Sequence, residues 1–217
     1  MSRPATVVRL SIIGAGLAYS VLLYLSDVQL DSLAKHAVAL LPAVGTVVLT
    51  AWDGLLWRVK GLSRLTKRPQ LYGLWKVTLS PTAESHIPEG GNRGPIQAFM
   101  TIEQSYWSVY VRQYTAESTS RSRTHYWELP AGADCERLVF TYENDPQQRY
   151  QQRSGRHFGV CVLDVASRSA SSLTGVYFTD RYTKGDMEIH LIDRSKGYGS
   201  FAEVLSYADR IEQAGPR

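Results

Sequence analysis

The 217-residue chain carries 24 Lys or Arg against 20 Asp or Glu, a net charge of +4, and its length suits one ordinary domain with an appendage. Its two cysteines, Cys135 and Cys161, exclude a disulfide framework and a cysteine-ligated zinc site. Residues 1–68 hold eight basic residues against three acidic ones, and the remainder 16 against 17. The basic excess therefore belongs to the N-terminal segment, and the rest lacks the footprint of a DNA or RNA binder.

In chain order, the first element is the apolar run 10–25, "LSIIGAGLAYSVLLYL", which extends to Val7 if Arg9 snorkels its guanidinium outward. The second is 37–52, "AVALLPAVGTVVLTAW", continued past Asp53 by Leu55, Leu56 and Trp57. Each run is near the ~20 residues that cross a bilayer. No small-x-small cleavage pattern closes the first, and the second lacks the polar face of a core helix. Two transmembrane spans, about 7–25 and 37–57, are predicted, making residues 1–57 a hairpin. Arg3, Arg9, Arg58, Lys60, Arg64, Lys67 and Arg68 flank the pair, whereas the connection "SDVQLDSLAKH" has Asp27, Asp31 and one lysine. The positive-inside rule then puts both termini in the cytoplasm and makes 58–70 a basic juxtamembrane linker drawn to lipid head groups. Gly14 and Ala18 form a small-xxx-small pair for helix packing, and Asp53 is expected at the solvated interface.

After residue 70 the period changes from helical to alternating. Strands are expected at 73–80, 95–104, 108–116, 123–129, 137–144, 156–165, 172–181 and 186–194, followed by a short helix or tail over 201–217. Even spacing and short connections predict an eight-stranded antiparallel up-and-down β-barrel over 71–200. The expected fold is thus a membrane-anchored all-β protein whose barrel is lipocalin-like but reduced. Its interior would be about wide enough for side chains or one small ligand.

Alternation also sorts the barrel wall. Leu173, Gly175, Tyr177, Thr179 and Arg181 share a face, as do Leu138, Phe140, Tyr142 and Asn144, and Val109, Val111, Gln113 and Thr115. All three grade from apolar to polar, and the sixth strand, from His157 through Gly159, Cys161 and Leu163 to Val165, grades the other way. With antiparallel pairing, the polar ends meet at one mouth over an apolar floor, the usual form of a ligand site.

The segments "LYGLWKV", "TIEQSYWSVYV", "TAESTSRS", "LVFTYENDP", "HFGVCVLDV" and "LTGVYFTDRYTKGDMEIHL", in that order behind two apolar runs, resemble the bacterial two-transmembrane, β-strand-rich effectors of cyclic-oligonucleotide-based antiphage signalling (CBASS). The likeness covers essentially the entire chain. It implies a barrel that binds a cyclic dinucleotide made by a partner nucleotidyltransferase (a CD-NTase). It also implies a multi-pass protein of the bacterial inner membrane whose hairpins self-associate as a homo-oligomer, disrupt the bilayer and abort infection.

Mouth position and motif position together select the candidate ligand-binding residues, and each has an ordinary structural alternative. Arg181 suits a phosphate through its planar fork, or it stacks on Trp75 to close the barrel end, as an arginine does in lipocalins. Tyr142 and Asn144 suit a base, or they enter the turn Asn144-Asp145-Pro146. Thr115, Ser118 and Ser120 offer hydroxyls, as does Thr179, or the first three belong to a hairpin. His157 is a ligand contact or a structural histidine. The segment around Lys184, Gly185 and Asp186 is expected to be the last turn. No phosphate loop, nucleophile elbow or zinc spacing is present in the sequence, so a non-enzymatic protein without cofactor or metal is expected. A barrel carrying an apolar ligand and a ligand-free tether are the other readings.

Overall fold

The computed structural model describes residues 4–25, 32–59, 61–62, 66, 68–194 and 200–214. They fall into two compact units, Met1–Arg68 with Ser105–Ser108, and Pro69–Gln104 with Val109–Arg217.

In the first unit, α1 (Pro4–Leu25) and α2 (Ser32–Gly54) precede a single 3₁₀ turn at Leu56–Arg58. The helices approach closely where Gly16 faces Pro42; a Cβ on Gly16 would lie 2.6 Å from the Pro42 Cβ. Gly14, expected in the contact, has nothing within 4 Å of such an atom. Asp53 is also not the solvated residue expected. It is 3% exposed, its carboxylate accepts from the Trp107 backbone N–H at 3.2 Å, and its carbonyl accepts from the Tyr106 N–H at 3.1 Å.

The two predicted spans require correction, because among the described residues no helix is long and apolar enough to cross a membrane. The multi-pass inner-membrane placement falls with them. The expectation rests on apolar letters along both runs. Small and hydroxyl residues lie within both helices: Ser11, Gly14, Gly16 and Ser20 in α1, and Pro42, Gly45, Thr46 and Thr50 in α2. The Ser20 and Thr46 hydroxyls donate back to the Gly16 and Pro42 carbonyls at 3.0 and 2.8 Å.

The second unit is built on the predicted barrel. Strands β1 (Gly73–Pro81), β2 (Ile96–Gln104), β3 (Val109–Tyr114), β4 (Ser118–Glu128), β5 (Glu136–Pro146), β6 (His157–Val165), β7 (Ser172–Thr179) and β8 (Lys184–Asp193) pair antiparallel in sequence order. Pairing of β1 with β8, from Leu74–Asp193 to Pro81–Gly185, closes the sheet. Closure leaves no edge strand to be protected. A period of two then sends one set of side chains inward: Trp75, Val77 and Leu79 from β1, Ala98, Met100 and Ile102 from β2, and Met187 and Ile189 from β8 meet the apolar halves of β3, β5, β6 and β7. A final helix, α3 (Phe201–Ala214), lays Val204 and Ala208 on the outer wall against Leu74, Phe99 and Tyr114.

Three local expectations change. β4 begins at Ser118, not 123, so the serine-rich stretch is mostly strand and only 115–117 turns. Asn144, Asp145 and Pro146 continue β5 opposite Ser120, Thr119 and Ser118, because cross-strand pairing overrides their turn propensity. Lys184, Gly185 and Asp186 open β8, and the turn lies earlier, at 180–183, where Tyr182 adopts φ 61°.

One barrel end is sealed by an arginine other than Arg181. The Arg194 guanidinium lies 5.5 Å from the Trp75 ring centroid and 5.2 Å from that of Tyr72. It donates to the carbonyls of Gln70, Tyr72 and Ala170 at 2.8–2.9 Å. Trp75, fully buried, donates its indole N–H to Leu71. Gly73, at φ 133°, lets the strand start pass beside the Asp193 carbonyl where any Cβ would collide. Arg194→Met is expected to lower unfolding free energy by about 2–4 kcal/mol, since three charge-assisted hydrogen bonds are lost and the carbonyls left buried. Arg194→Lys should recover part of this loss, read by urea denaturation of the full chain.

Candidate ligand-binding cavity

At the end opposite Arg194, the inward faces of β3 to β7 stop being apolar. Register explains the change. Asn144 pairs with His157 and Tyr142 with Gly159 across β5 and β6, while Gly159 pairs with Thr179 across β6 and β7. On the other side Ser120 sits between Gln113 and Asn144. The result is a cavity of about 460 Å³ with a polar rim over an apolar floor that includes Leu79, Ile96, Cys161, Tyr177 and Met187. Its size is within the usual range for a small-molecule site. Arg181, Tyr142, Asn144, Thr115, Ser118, Ser120, Thr179 and His157 all line it.

These eight are not equally available. Thr115 and Ser118 hold the β3–β4 turn: their hydroxyls lie 3.0 Å apart, and the Thr115 Oγ1 accepts from the backbone N–H of Ser118 and Glu117. The Thr179 hydroxyl accepts from the Thr183 N–H at 3.1 Å. The Ser120 hydroxyl donates to the Asn144 Oδ1 at 2.8 Å. The Nδ1 of His157 lies 3.1 Å from the Gly155 carbonyl and 3.5 Å from the Asn144 Nδ2. Burial holds the imidazole below its ordinary pKa, against the opposing pull of that carbonyl. Neutral His157 keeps one ring nitrogen as a donor and the other as an acceptor.

Arg181 is the charged group of the mouth. Its Nη1 donates to the Ser154 hydroxyl at 2.9 Å, and its Nε is buried without a hydrogen-bond partner among the described residues. No ion pair with a carboxylate is formed by Arg181 among the described residues, and burial pulls its pKa down. Arg153, the other cation on the lining, is paired with Glu117. Arg121, Arg123 and Arg156 lie on the outer wall with Glu143 and Asp145. Tyr142 and Tyr177 present phenols whose pKa burial raises, that of Tyr177 to about 12, so both remain O–H donors at neutral pH. Gly159 makes room for Tyr142, since a Cβ there would overlap the phenol ring and its hydroxyl.

Several lining residues escape a reading of the sequence. Gln113 and Tyr177 lie on inward faces that alternation identifies, but neither is among the ligand-binding candidates. Ser154 lies in the β5–β6 connection, where no strand period applies. His86, Ile87, Pro88, Gly91 and Asn92 reach the cavity from the long β1–β2 connection, which alternation cannot orient. The stacking on Trp75 that is the structural alternative for Arg181 belongs to Arg194 at the opposite end.

Among the described residues no cluster of His, Cys, Asp or Glu could hold a metal ion. No curated protein matches the chain. Residues 66–190, more than half of the chain and the whole barrel wall but for the end of β8, match the family described as Cap15, cyclic dinucleotide receptor domain. The barrel with its polar mouth, together with this match, shows that the chain belongs to the Cap15 cyclic dinucleotide receptor family of CBASS effectors.

Proposed function

We propose that the mouth cavity is where the cyclic dinucleotide binds, and that the protein is a receptor and effector, not an enzyme. The observation that carries this reading is Arg181: a partly buried guanidinium with an unspent donor at the rim of a cavity otherwise lined mainly by neutral groups. Burying a cation without a carboxylate is costly, and a phosphate of the ligand offsets that cost through charge-assisted hydrogen bonds. Tyr142, Asn144 and His157 then face a base, the phenol by stacking and the amide and imidazole through its edge. The signal comes from a partner nucleotidyltransferase. Occupancy favours self-association, because a ligand that binds the assembled form better shifts the equilibrium by that difference. The output is death of the infected cell.

Thermal melting of the full chain against a panel of cyclic di- and trinucleotides tests the site. At a ligand concentration about 100 times Kd, stabilisation of about 2.7 kcal/mol is expected, several degrees in Tm. Arg181→Met should abolish the shift while leaving the unliganded melt within a degree or two; a full shift in this variant would remove Arg181 from the site. The same ligand should raise the weight-average mass measured by sedimentation.

His157 adds a pH dependence. Its folded pKa is depressed, so the unfolded chain takes up the proton first as pH falls. Its contribution is fully present above about pH 6.5 and declines below it. The unliganded Tm should therefore fall between about pH 7 and 5.5 by more in the native chain than in His157→Asn.

A further inference from the structure

Arg181 does not lie on a strand. β7 ends at Thr179, and Arg181 sits in the four-residue turn 180–183 beside Tyr182, whose positive φ is unusual for a bulky residue. A side chain on so short a turn points reliably only if the turn is held from outside. Within the turn, the Tyr182 N–H donates to the Thr179 carbonyl and the Thr183 N–H to the Thr179 hydroxyl. Further restraints come from residues 82–86, about a hundred positions away in sequence.

Ser85 is central among them. It is 5% exposed, its hydroxyl donates to the Lys184 carbonyl at 2.5 Å, and the same oxygen accepts from the Lys184 N–H at 3.0 Å. One hydroxyl thus satisfies both backbone groups of the residue that ends the turn. Two backbone bonds flank it: Thr82 N–H to the Lys184 carbonyl at 3.0 Å, and His86 N–H to the Tyr182 carbonyl at 3.1 Å. The latter fastens the left-handed residue itself. Glu84 and Lys184 add an ion pair, but both side chains are well exposed, and such pairs contribute little.

We infer that Ser85 is a positioning residue for ligand recognition: its buried hydroxyl fixes the 180–183 turn so that the Arg181 guanidinium is held at the cavity rim. The inference rests on the proposed role of Arg181 at the phosphate. Pre-orientation spares the ligand the ordering cost of a long, flexible side chain. Without the Ser85 oxygen, the Lys184 N–H loses its acceptor and the turn loosens at that end, while Asp180 stays bonded to Phe158, so the guanidinium is held less firmly at the rim. The residues of the same connection that touch the cavity, His86, Ile87 and Pro88, come directly after this anchor.

A double-mutant cycle on the full chain tests it, with calorimetric Kd for the cyclic dinucleotide that gives the largest thermal shift and the unliganded Tm read in parallel. Ser85→Ala should weaken binding about tenfold, and Ser85→Thr, which keeps the hydroxyl, should restore most of it. In the Arg181→Lys background, already weakened, Ser85→Ala should cost less than about threefold more, because its effect passes through the guanidinium. Glu84→Gln should leave Kd unchanged. Additive losses in the two backgrounds would overturn the inference, as would unchanged affinity in Ser85→Ala. If Ser85→Ala does not fold, Ser85→Cys provides the same comparison with a weaker hydrogen bond. No binding by the native chain to any cyclic dinucleotide would instead overturn the cavity reading and the inference with it.

Discussion

Pairing of β1 with β8 is the constraint on which the rest of the barrel depends. Until that ladder forms, the sheet has two edges and two solvated faces. Once it forms, every strand has an inside and an outside, and a one-residue slip of β1 would move Trp75, Val77 and Leu79 into solvent. The closure is finished by two features just beyond the ladder. Gly73 admits the close passage of the Asp193 carbonyl, and Arg194 covers the buried Trp75 while satisfying three carbonyls. A single guanidinium thereby does for the sealed end what main-chain pairing does for the wall.

The interior is graded, and the gradient has an energetic meaning. Toward the sealed end, side chains are apolar and fully buried, which supplies the main stabilisation. Toward the mouth, the same inward positions become Gln113, Ser120, Asn144, His157 and Thr179. Some of these polar groups are satisfied by each other, as Ser120 is by Asn144, and these rigidify the rim. The Arg181 Nε is left without a partner among the described residues. An unpaired buried donor lowers stability, and its retention at a rim supports the proposed role of Arg181 at a phosphate. Outside the wall, by contrast, arginines meet carboxylates: Arg123 and Arg156 share Glu143, and Arg137 pairs with Asp164.

Where the side-chain period is two and the pairing partner is the next strand, the sequence was sufficient. Strand order, the inward sets on β3, β5, β6 and β7, and their convergence at one mouth were all legible, because alternation and short connections leave few other arrangements. Connections were not legible. Ser85 carries no signal in a stretch "TAESHIPEGGNRGP", and Tyr182 has none of the glycine character that marks a left-handed turn. Turn propensity misled at Asn144-Asp145-Pro146, where a barrel neighbour was available to pair. The two N-terminal apolar runs misled differently: each run is near the ~20 residues that cross a bilayer, yet no helix among the described residues is long and apolar enough to do so.

Arg194 and Trp75 also determine traffic. A barrel open at both ends would let a solute pass through, and entry and exit could be selected by different groups. With one end stoppered, the proposed ligand would enter and leave by one doorway, past Arg181, His157 and Ser120. On that proposal, selection on arrival would be repeated on departure, so residence time and discrimination would be properties of one rim, with the apolar floor beneath it.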